Sequence, residues 1–256
     1  MKKINFYYFT GTGNTYLVVK EMKGVFEKEG IEVKLYKMEK VSPEGVNLED
    51  TVGLGFPVAS QGTYPFVWEF VEGLPETSGT PVFMVDTLHM FSGGVVGPLG
   101  KILRRKGYKT IGAREIKMPS NLLRKDIDVE KDRKKIEKGL ESARRYAVDL
   151  IKGNTRWGYV PVLSDFMSIF SKRETPWRLY RRFFKMEVDK ERCTKCGICR
   201  DICPVHNIDL QDYPVHGDHC YYCMRCFSFC PEGAIHIGKM VVKPYHSIGL
   251  NNILND

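Results

Sequence analysis

The eight cysteines are the residues of this chain best suited to redox or metal chemistry, and all lie between positions 193 and 230. They form two runs of identical spacing, Cys-x2-Cys-x2-Cys-x3-Cys-Pro, which begin at Cys193 and at Cys220. Each run continues into a similar short segment, residues 207–210 after the first and residues 234–237 after the second. Clustered cysteines without a secretory leader favour metal or redox chemistry over disulfide bonds, and the repeat predicts two equivalent sites.

The spacing suits iron–sulfur cubanes, because three thiolates separated by two residues can hold three corners of one [4Fe-4S] cluster. Two-cluster ferredoxins carry the same run, and in that pattern the fourth cysteine ligates the other cluster. We therefore predict two clusters that exchange their fourth ligands. One has the ligands Cys193, Cys196, Cys199 and Cys230, and the other has Cys220, Cys223, Cys226 and Cys203.

A zinc module is the alternative, since Cys-x2-Cys pairs also build four-cysteine zinc sites. Zinc needs only four ligands and does not require the x3-Cys-Pro extension, so the complete runs favour clusters. Four histidines lie near the cysteines, and we expect them to be supporting or surface residues because eight thiolates already satisfy two cubanes. They are His206, His216, His219 and His236.

A second stretch with chemical potential is FTGTGNT, residues 9–15, which follows an apolar run and precedes a helix-like run. It lacks the lysine of a Walker A loop, and a dinucleotide fingerprint would need glycine where Tyr16 stands. Backbone N–H groups and hydroxyls at a helix N-terminus can hold a single phosphate, as in sheets that bind FMN. The loop therefore favours FMN over ATP or NAD, with an ordinary capped turn as the alternative. The predicted phosphate ligands are Thr10, Gly11, Thr12, Gly13, Asn14 and Thr15.

The elements that position these residues follow from apolar runs that alternate with amphipathic ones over the first ~150 residues. We predict strands at 4–9, 32–37, 51–56, 81–86 and 110–117, and helices at 14–29, 65–72, 97–106 and 130–152. This alternation predicts a parallel, doubly wound sheet. We place one domain at 1–152, a connector at 153–186 and a cysteine-rich domain at 187–256.

The composition excludes several functional classes. The 256 residues, 43% of them hydrophobic, can build one large domain and one small one. No apolar run approaches the ~20 residues of a membrane span, and the start MKK does not resemble a leader, so we expect a cytoplasmic protein. The formal charge of +8 counts every thiol as neutral. Two clusters and a flavin phosphate would lower it to about +2, so no nucleic acid partner is expected.

The run TGTGNT together with the two cysteine runs resembles the flavodoxin–ferredoxin fusion proteins of anaerobic bacteria and archaea, over nearly the whole chain. The resemblance implies a flavodoxin-like α/β doubly wound five-stranded parallel sheet of order 2-1-3-4-5, followed by a small α+β two-cluster ferredoxin domain. It also implies two further flavin loops, FPVA at 56–59 and TLHMFSGG at 87–94. The segment KMPSNLL at 117–123 resembles a family segment too, with Ser120 where aspartate is common. The implied flavin contacts are Pro57, Val58, Ala59, Thr87, Leu88, His89, Phe91, Ser92 and Gly93.

Aromatic residues near these loops and in the connector allow two interpretations. Tyr64, Phe91 and His89 are candidates for stacking on the flavin ring, with core packing as the alternative for each. The connector combines eight aromatic residues with an excess of Lys and Arg. We expect its aromatic side chains to pack the two domains together, with a membrane surface or nucleic acid as alternative contacts.

Together these features predict an electron-transfer protein that relays electrons between two [4Fe-4S] clusters and FMN. The alternative is a flavin-dependent reductase of a small substrate, fed by the clusters. The chain lacks a second nucleotide fingerprint, so direct use of NAD(P)H is not indicated, and no catalytic proton-transfer residue is assigned. We expect redox proteins or a small electron acceptor as partners, and a head-to-tail homodimer of C2 symmetry.

Overall fold

The computed structural model of the chain describes residues 1–91, 93–158, 168 and 172–254. Five strands of the N-terminal region form one sheet of order β2-β1-β3-β4-β5, and every neighbouring pair is parallel. The order of a flavodoxin-like sheet is thereby confirmed. The strands are β1 (Lys3–Tyr8), β2 (Glu32–Lys37), β3 (Thr51–Pro57), β4 (Pro81–Leu88) and β5 (Lys109–Lys117).

Helices cover both faces of the sheet, as a parallel sheet requires. On one face α1 (Asn14–Lys28) and α4 (Val129–Lys152) pack on alternate strand residues such as Phe6 and Phe83. On the other face α2 (Pro65–Gly73) and α3 (Val96–Arg105) pack on the intervening residues, such as Leu54 and Met84. All the helix and strand boundaries of this region lie within two residues of the predicted ones.

The longest helix has the start and stop that its sequence encodes. The Asp128 side chain caps α4 by accepting a hydrogen bond from the Lys131 backbone N–H at 2.9 Å. Gly153 ends the helix in the left-handed conformation, which glycine adopts without strain. The capped helix then lies beside α1, and a surface ion pair joins Arg144 to Glu21.

The C-terminal region is a small α+β unit. The helix α5 (Glu174–Phe183) leads into β6 (Met186–Val188), which pairs antiparallel with β9 (Ile235–Ile237). A second hairpin-like pair joins β7 (Ile208–Leu210) and β8 (Pro214–His216). The short helices α6 (Ile198–Asp201) and α7 (Arg225–Phe229) lie at the third cysteine of each run. The small apolar core of this unit includes Ile208, Met224, Phe227, Ile235 and Ile237.

The C-terminal tail returns to the N-terminal region, which the sequence analysis does not anticipate. Its last helix, α8 (Leu250–Leu254), ends beside β2, where the buried Lys37 Nζ donates to the Ile253 carbonyl at 2.5 Å. Ile248 and Ile253 join the apolar core that lies between α1 and the sheet. The tail that follows β9, residues 238–254, is thus a strap that holds the two regions together.

Among the described residues, no helix combines the length and the apolar composition that crossing a membrane demands.

Candidate functional site

A cavity of about 470 Å³ opens at the carboxyl ends of β1, β3 and β4. This volume lies in the range of small-molecule sites, and the place is where doubly wound sheets bind ligands. Gly13 and Gly93 lie outside its lining, and Ser92 lies outside the described residues. The other twelve predicted flavin contacts line it: Thr10, Gly11, Thr12, Asn14, Thr15, Pro57, Val58, Ala59, Thr87, Leu88, His89 and Phe91.

The first loop presents buried hydroxyls at the N-terminus of α1. Thr10, Thr12 and Thr15 are each at most 2% exposed. The Thr10 Oγ1 accepts hydrogen bonds from the backbone N–H of Gly13 at 3.1 Å and of Tyr16 at 3.4 Å. Gly13 has a φ of 112°, a left-handed value that a side chain would strain. The loop is therefore held in one shape by its own threonine and glycine.

The same loop fits a bound phosphate. Thr12 Oγ1 is buried and has no hydrogen-bond partner within the described part of the chain. A buried hydroxyl without a partner costs about 1–3 kcal/mol, and a phosphate oxygen at the positive end of α1 would accept its hydrogen bond. The Thr15 hydroxyl is hydrogen-bonded to the Thr87 hydroxyl at 2.8 Å, so the first loop is joined to the third. These groups suit the single phosphate of FMN.

Asn14 has a structural role that the sequence analysis does not separate from phosphate binding. Its side-chain nitrogen donates to the Pro119 carbonyl at 2.8 Å, and its side-chain oxygen accepts from the Tyr245 hydroxyl at 2.8 Å. The Ser247 backbone N–H donates to the Thr12 carbonyl at 2.8 Å. The strap therefore fixes the outer side of the phosphate loop.

The second and third loops line a further part of the cavity. Val58 N–H donates to the Thr87 carbonyl at 2.8 Å, which holds these two loops side by side. At His89, burial and the charge of Lys135 lower the imidazole pKa. The Lys135 ammonium donates to His89 Nδ1 at 2.9 Å, so the ring accepts there and is neutral. Phe91 is exposed at the mouth of the cavity.

Tyr64 is both a core residue and a cavity residue. It is 4% exposed, packs edge-on against Phe9, and stacks on Phe66 at 5.6 Å between ring centroids. Burial, followed by electrostatic interaction with the sulfurs of Cys223 and Cys220, raises the pKa of its hydroxyl. The ring therefore lies between the phosphate loop and the second cysteine run.

The far wall of the cavity consists of residues that the sequence analysis does not assign to the flavin site. They come from α5, from the residue after it and from the cysteine-rich unit, and they are Trp177, Tyr180, Phe184, Tyr221, Tyr222 and Ile237. Trp177 is 3% exposed and packs against Tyr64 and Tyr221. Trp177, Tyr180 and Phe184 belong to the aromatic connector, and Trp177 packs the N-terminal region against the cysteine-rich unit as expected. The connector residues Tyr159, Phe166 and Phe170 lie outside the described residues.

The cysteines surround two small cavities, and each cavity is lined by one predicted set of four. We call the cavity that is lined by Cys193, Cys196, Cys199 and Cys230 the outer cluster site, because it is a candidate cluster site. The inner cluster site is lined by Cys203, Cys220, Cys223 and Cys226. All eight are free thiols. Within the described ranges, no three His, Cys, Asp or Glu side chains form a compact site for a single metal ion.

Burial raises the pKa of four of the thiols, those of Cys199, Cys220, Cys223 and Cys226, and so disfavours their ionisation. Burial, followed by electrostatic interaction with Cys196, Cys230 and Cys193, raises the pKa of Cys199 to about 11. Burial also raises the pKa of Cys223 to about 12. A coordinating metal deprotonates a thiol outright, so the donor sets fit clusters of iron and sulfide.

The backbone around the two sites repeats with the cysteines. The fourth cysteine of each run accepts a backbone hydrogen bond of 3.3 Å. Asn207 N–H donates to Cys203 Sγ, and Ala234 N–H donates to Cys230 Sγ. Left-handed residues recur at equivalent positions of the two runs: Lys195 and Tyr222, Gly197 and Met224, His206 and Gly233. Hydrogen bonds to sulfur tune cluster potentials, and in each cavity the cysteine that comes from the opposite run accepts such a bond.

Known proteins resemble the two regions separately. A 4Fe-4S binding domain family matches residues 186–209. An uncharacterized ferredoxin of Methanocaldococcus jannaschii is 36% identical over 63 residues, which are 22% of this chain and 79% of the relative. The pyruvate synthase subunit PorD of the same organism is 32% identical over 71 residues, or 27% of this chain and 77% of the relative.

Two flavodoxin structures align with the N-terminal region. An archaeal flavodoxin has 14% sequence identity and a TM-score of 0.43, over 59% of this chain and 99% of the other. Flavodoxin 2 of Bacillus cereus has 18% identity and a TM-score of 0.46, over 59% of this chain and 98% of the other. The ferredoxin match and the 2-1-3-4-5 sheet thus show a flavodoxin–ferredoxin fusion, in which a region that belongs to the ferredoxins follows a region with a flavodoxin-like fold.

Proposed function

We propose that this protein relays electrons between two [4Fe-4S] clusters and FMN, and that the relay operates within one chain. The observation that carries the proposal is the far wall of the flavin cavity. Tyr221 and Tyr222 line this cavity and stand between Cys220 and Cys223, two of the inner site's proposed ligands. The inner cluster site therefore adjoins the flavin cavity of its own chain.

The residues that would hold each cofactor follow from the geometry. The hydroxyls of Thr10, Thr12 and Thr15 and the amides of α1 would hold the phosphate, and the second and third loops would flank the ring. When bound, FMN exchanges one or two electrons, whereas a cluster exchanges one at a time. Among the clusters, the Cys203 and Cys230 ligands would be exchanged between the two sites.

The two cluster sites differ in access to solvent. Cys196 of the outer site is exposed, whereas the four cysteines of the inner site are buried or half-buried. A redox partner can therefore approach the outer site, and the inner site stands between it and the flavin cavity. The pyruvate synthase subunit among the relatives supports redox enzymes as partners of this kind.

A small-substrate reductase is the second candidate function. Met90 and Phe91 line the same cavity and are 72% and 62% exposed, so the third loop leaves its mouth open to solvent. Stopped-flow oxidation of the reduced protein distinguishes the two candidates. Saturable turnover with one small molecule supports a reductase, whereas exchange only with redox proteins supports a carrier.

The first experiment is the cofactor content of anaerobically purified or reconstituted protein. We expect about eight iron atoms and one FMN per chain. Protein that contains only zinc and has no flavin absorbance would contradict the proposal.

The second experiment measures how fast electrons reach the flavin after rapid reduction of the clusters. A relay within one chain predicts a rate that does not change with protein concentration. A rate proportional to concentration would contradict that arrangement and favour transfer between copies. The head-to-tail dimer stays a prediction, which light scattering tests separately.

A further inference from the structure

Arg225 is a buried cation that joins the inner cluster site to the phosphate loop. It lies between Cys223 and Cys226 in the chain and is 3% exposed. Its Nε and Nη2 donate to the Thr10 carbonyl at 2.9 and 2.7 Å, and its Nη1 donates to the Ile202 carbonyl at 3.3 Å. One guanidinium from the second cysteine run thus contacts Thr10 of the phosphate loop and Ile202 of the first cysteine run.

Thr10 connects Arg225 to the flavin site. Its carbonyl accepts from Arg225, and its hydroxyl accepts from the N–H of Gly13, which precedes α1, and from the N–H of Tyr16 in the first turn of α1. A shift of the guanidinium therefore moves the residue that shapes the phosphate loop. The Arg225 guanidinium also lies 4.7 Å from the centre of the Phe9 ring, which limits the positions available to it.

The charge of Arg225 is compensated by a single buried carboxylate. Nη2 lies 2.5 Å from Glu39 Oε1, and the two side chains are 4% and 7% exposed. Burying such a pair costs desolvation free energy that a well-packed apolar pair would avoid, so stability alone gives a weak reason for it. A buried charge acts strongly on its neighbours because water does not screen it.

We propose that Arg225 is a positioning residue with two separable effects, an inference that rests on the proposed function. Its hydrogen bonds to Thr10 hold the phosphate loop in the conformation that binds FMN. Its charge, balanced by Glu39, sets the reduction potential of the inner cluster relative to the outer one. Flavin binding and the inner cluster are thereby coupled, and the coupling acts in both directions.

Three variants separate geometry from charge. Arg225→Lys keeps the charge but cannot reproduce the fork of bonds to Thr10, Ile202 and Glu39. Arg225→Gln removes the charge, and Glu39→Gln leaves the arginine without its compensating carboxylate. Arg144→Gln is the matched control, because it removes the same charge from the exposed Arg144–Glu21 pair on α4 and α1.

The readouts are the dissociation constant of FMN, from flavin fluorescence, and the potentials of the two clusters, from an EPR-monitored titration. We expect Arg225→Lys to weaken FMN binding about tenfold, a typical coupling between sites, and to leave the inner potential near that of the wild type. Arg225→Gln should weaken FMN binding equally and shift the inner potential downward. Glu39→Gln should shift it upward. The outer potential should move less in each case.

The outcomes distinguish this inference from the proposed function. Wild-type protein without FMN or clusters would remove the proposed function itself. Wild-type protein with both cofactors, and variants with unchanged FMN affinity and unchanged potentials, would overturn the role of Arg225 alone. If Arg225→Gln does not fold, Arg225→Lys and Glu39→Gln still provide the geometric and the electrostatic tests. Reduced unfolding stability with neither readout changed means a purely structural role and also overturns it.

Discussion

Gly11 of the phosphate loop touches the backbone of Cys223 in the inner cluster site. A Cβ atom on Gly11 would lie 2.4 Å from the Cys223 carbonyl oxygen, closer than any real Cβ contact. The two cofactor regions therefore meet backbone to backbone, and glycine is the residue that permits this approach.

Replacement of Gly11 by alanine should separate the two regions. Because the contact is with backbone rather than a flexible side chain, we expect the cost of overpacking, about 1–3 kcal/mol of unfolding free energy. Electron transfer from the clusters to the flavin should also slow. Chemical denaturation and the rapid-reduction experiment measure the two effects.

The control for this variant is Gly24→Ala in α1, where an added Cβ has no neighbour within 4 Å. Alanine in a helix interior should stabilise by about 0.5–1 kcal/mol and leave electron transfer unchanged. A Gly11→Ala protein that transfers electrons as fast as the control would contradict the importance of this contact.

The proposed exchange of fourth ligands predicts that substitution of a run's fourth cysteine acts on the site whose other three cysteines belong to the opposite run. Cys203→Ser, in the first run, should remove or alter the inner cluster, and Cys230→Ser, in the second run, should alter the outer one. We expect each protein to keep about half of its iron, because one cubane retains all four thiolates. EPR spectra of the two variants, compared with Cys193→Ser and Cys220→Ser, measure which cluster survives.

The informative result is which variants have the same EPR spectrum. Cys203→Ser should resemble Cys220→Ser, and Cys230→Ser should resemble Cys193→Ser. If Cys203→Ser instead matches Cys193→Ser, each run holds its own cluster and the exchange does not occur.

Local patterns were sufficient to predict the strands and helices of the N-terminal region. Strand β2 could be predicted because its residues alternate, and the turn between β1 and α1 because glycine and hydroxyl residues stand between an apolar run and a helix-like run. Arg225 and Tyr222 could not be assigned, since their contacts join residues far apart in the chain. Arg225 is an ordinary cation between two cysteines until the fold brings it to Thr10, 215 positions away. The strap could not be predicted for the same reason.

The strap should contribute stability through its last buried side chain. Ile253 is 3% exposed against the core under α1, whereas its neighbour Leu254 is 37% exposed. Ile253→Ala should cost about 2–5 kcal/mol of unfolding free energy through a cavity. Leu254→Ala, the matched control, should change it by less than about 0.5 kcal/mol. Equal effects of the two substitutions in chemical denaturation would show that the strap does not pack as described.

The strap should also support flavin binding. Chain truncation after Met240 removes Tyr245 and Ser247, which bind Asn14 and Thr12 of the phosphate loop. We expect FMN to bind about tenfold more weakly, in the range of couplings between linked sites. Titration of FMN fluorescence measures this change, and an unchanged dissociation constant would limit the strap to a role in folding.

Two histidines should make the protein less stable in mild acid. Burial is the first cause that lowers the pKa of His89, assisted by the charge of Lys135, and burial alone lowers that of His216. The unfolded chain then binds protons more tightly than the folded protein, so stability is fully present above about pH 6.5 and falls below it. The sign follows because each lowered pKa favours the neutral imidazole in the folded state.

Thermal unfolding of the cofactor-loaded protein tests this pH dependence. The melting temperature should rise with pH between about pH 5 and 7, and His89→Gln combined with His216→Leu should reduce this rise. Above this range the two imidazoles are neutral in the wild type and absent from the double variant. The plots of melting temperature against pH for the two proteins should therefore run parallel near about pH 8. A slope that survives in the double variant would assign the acid sensitivity to other groups.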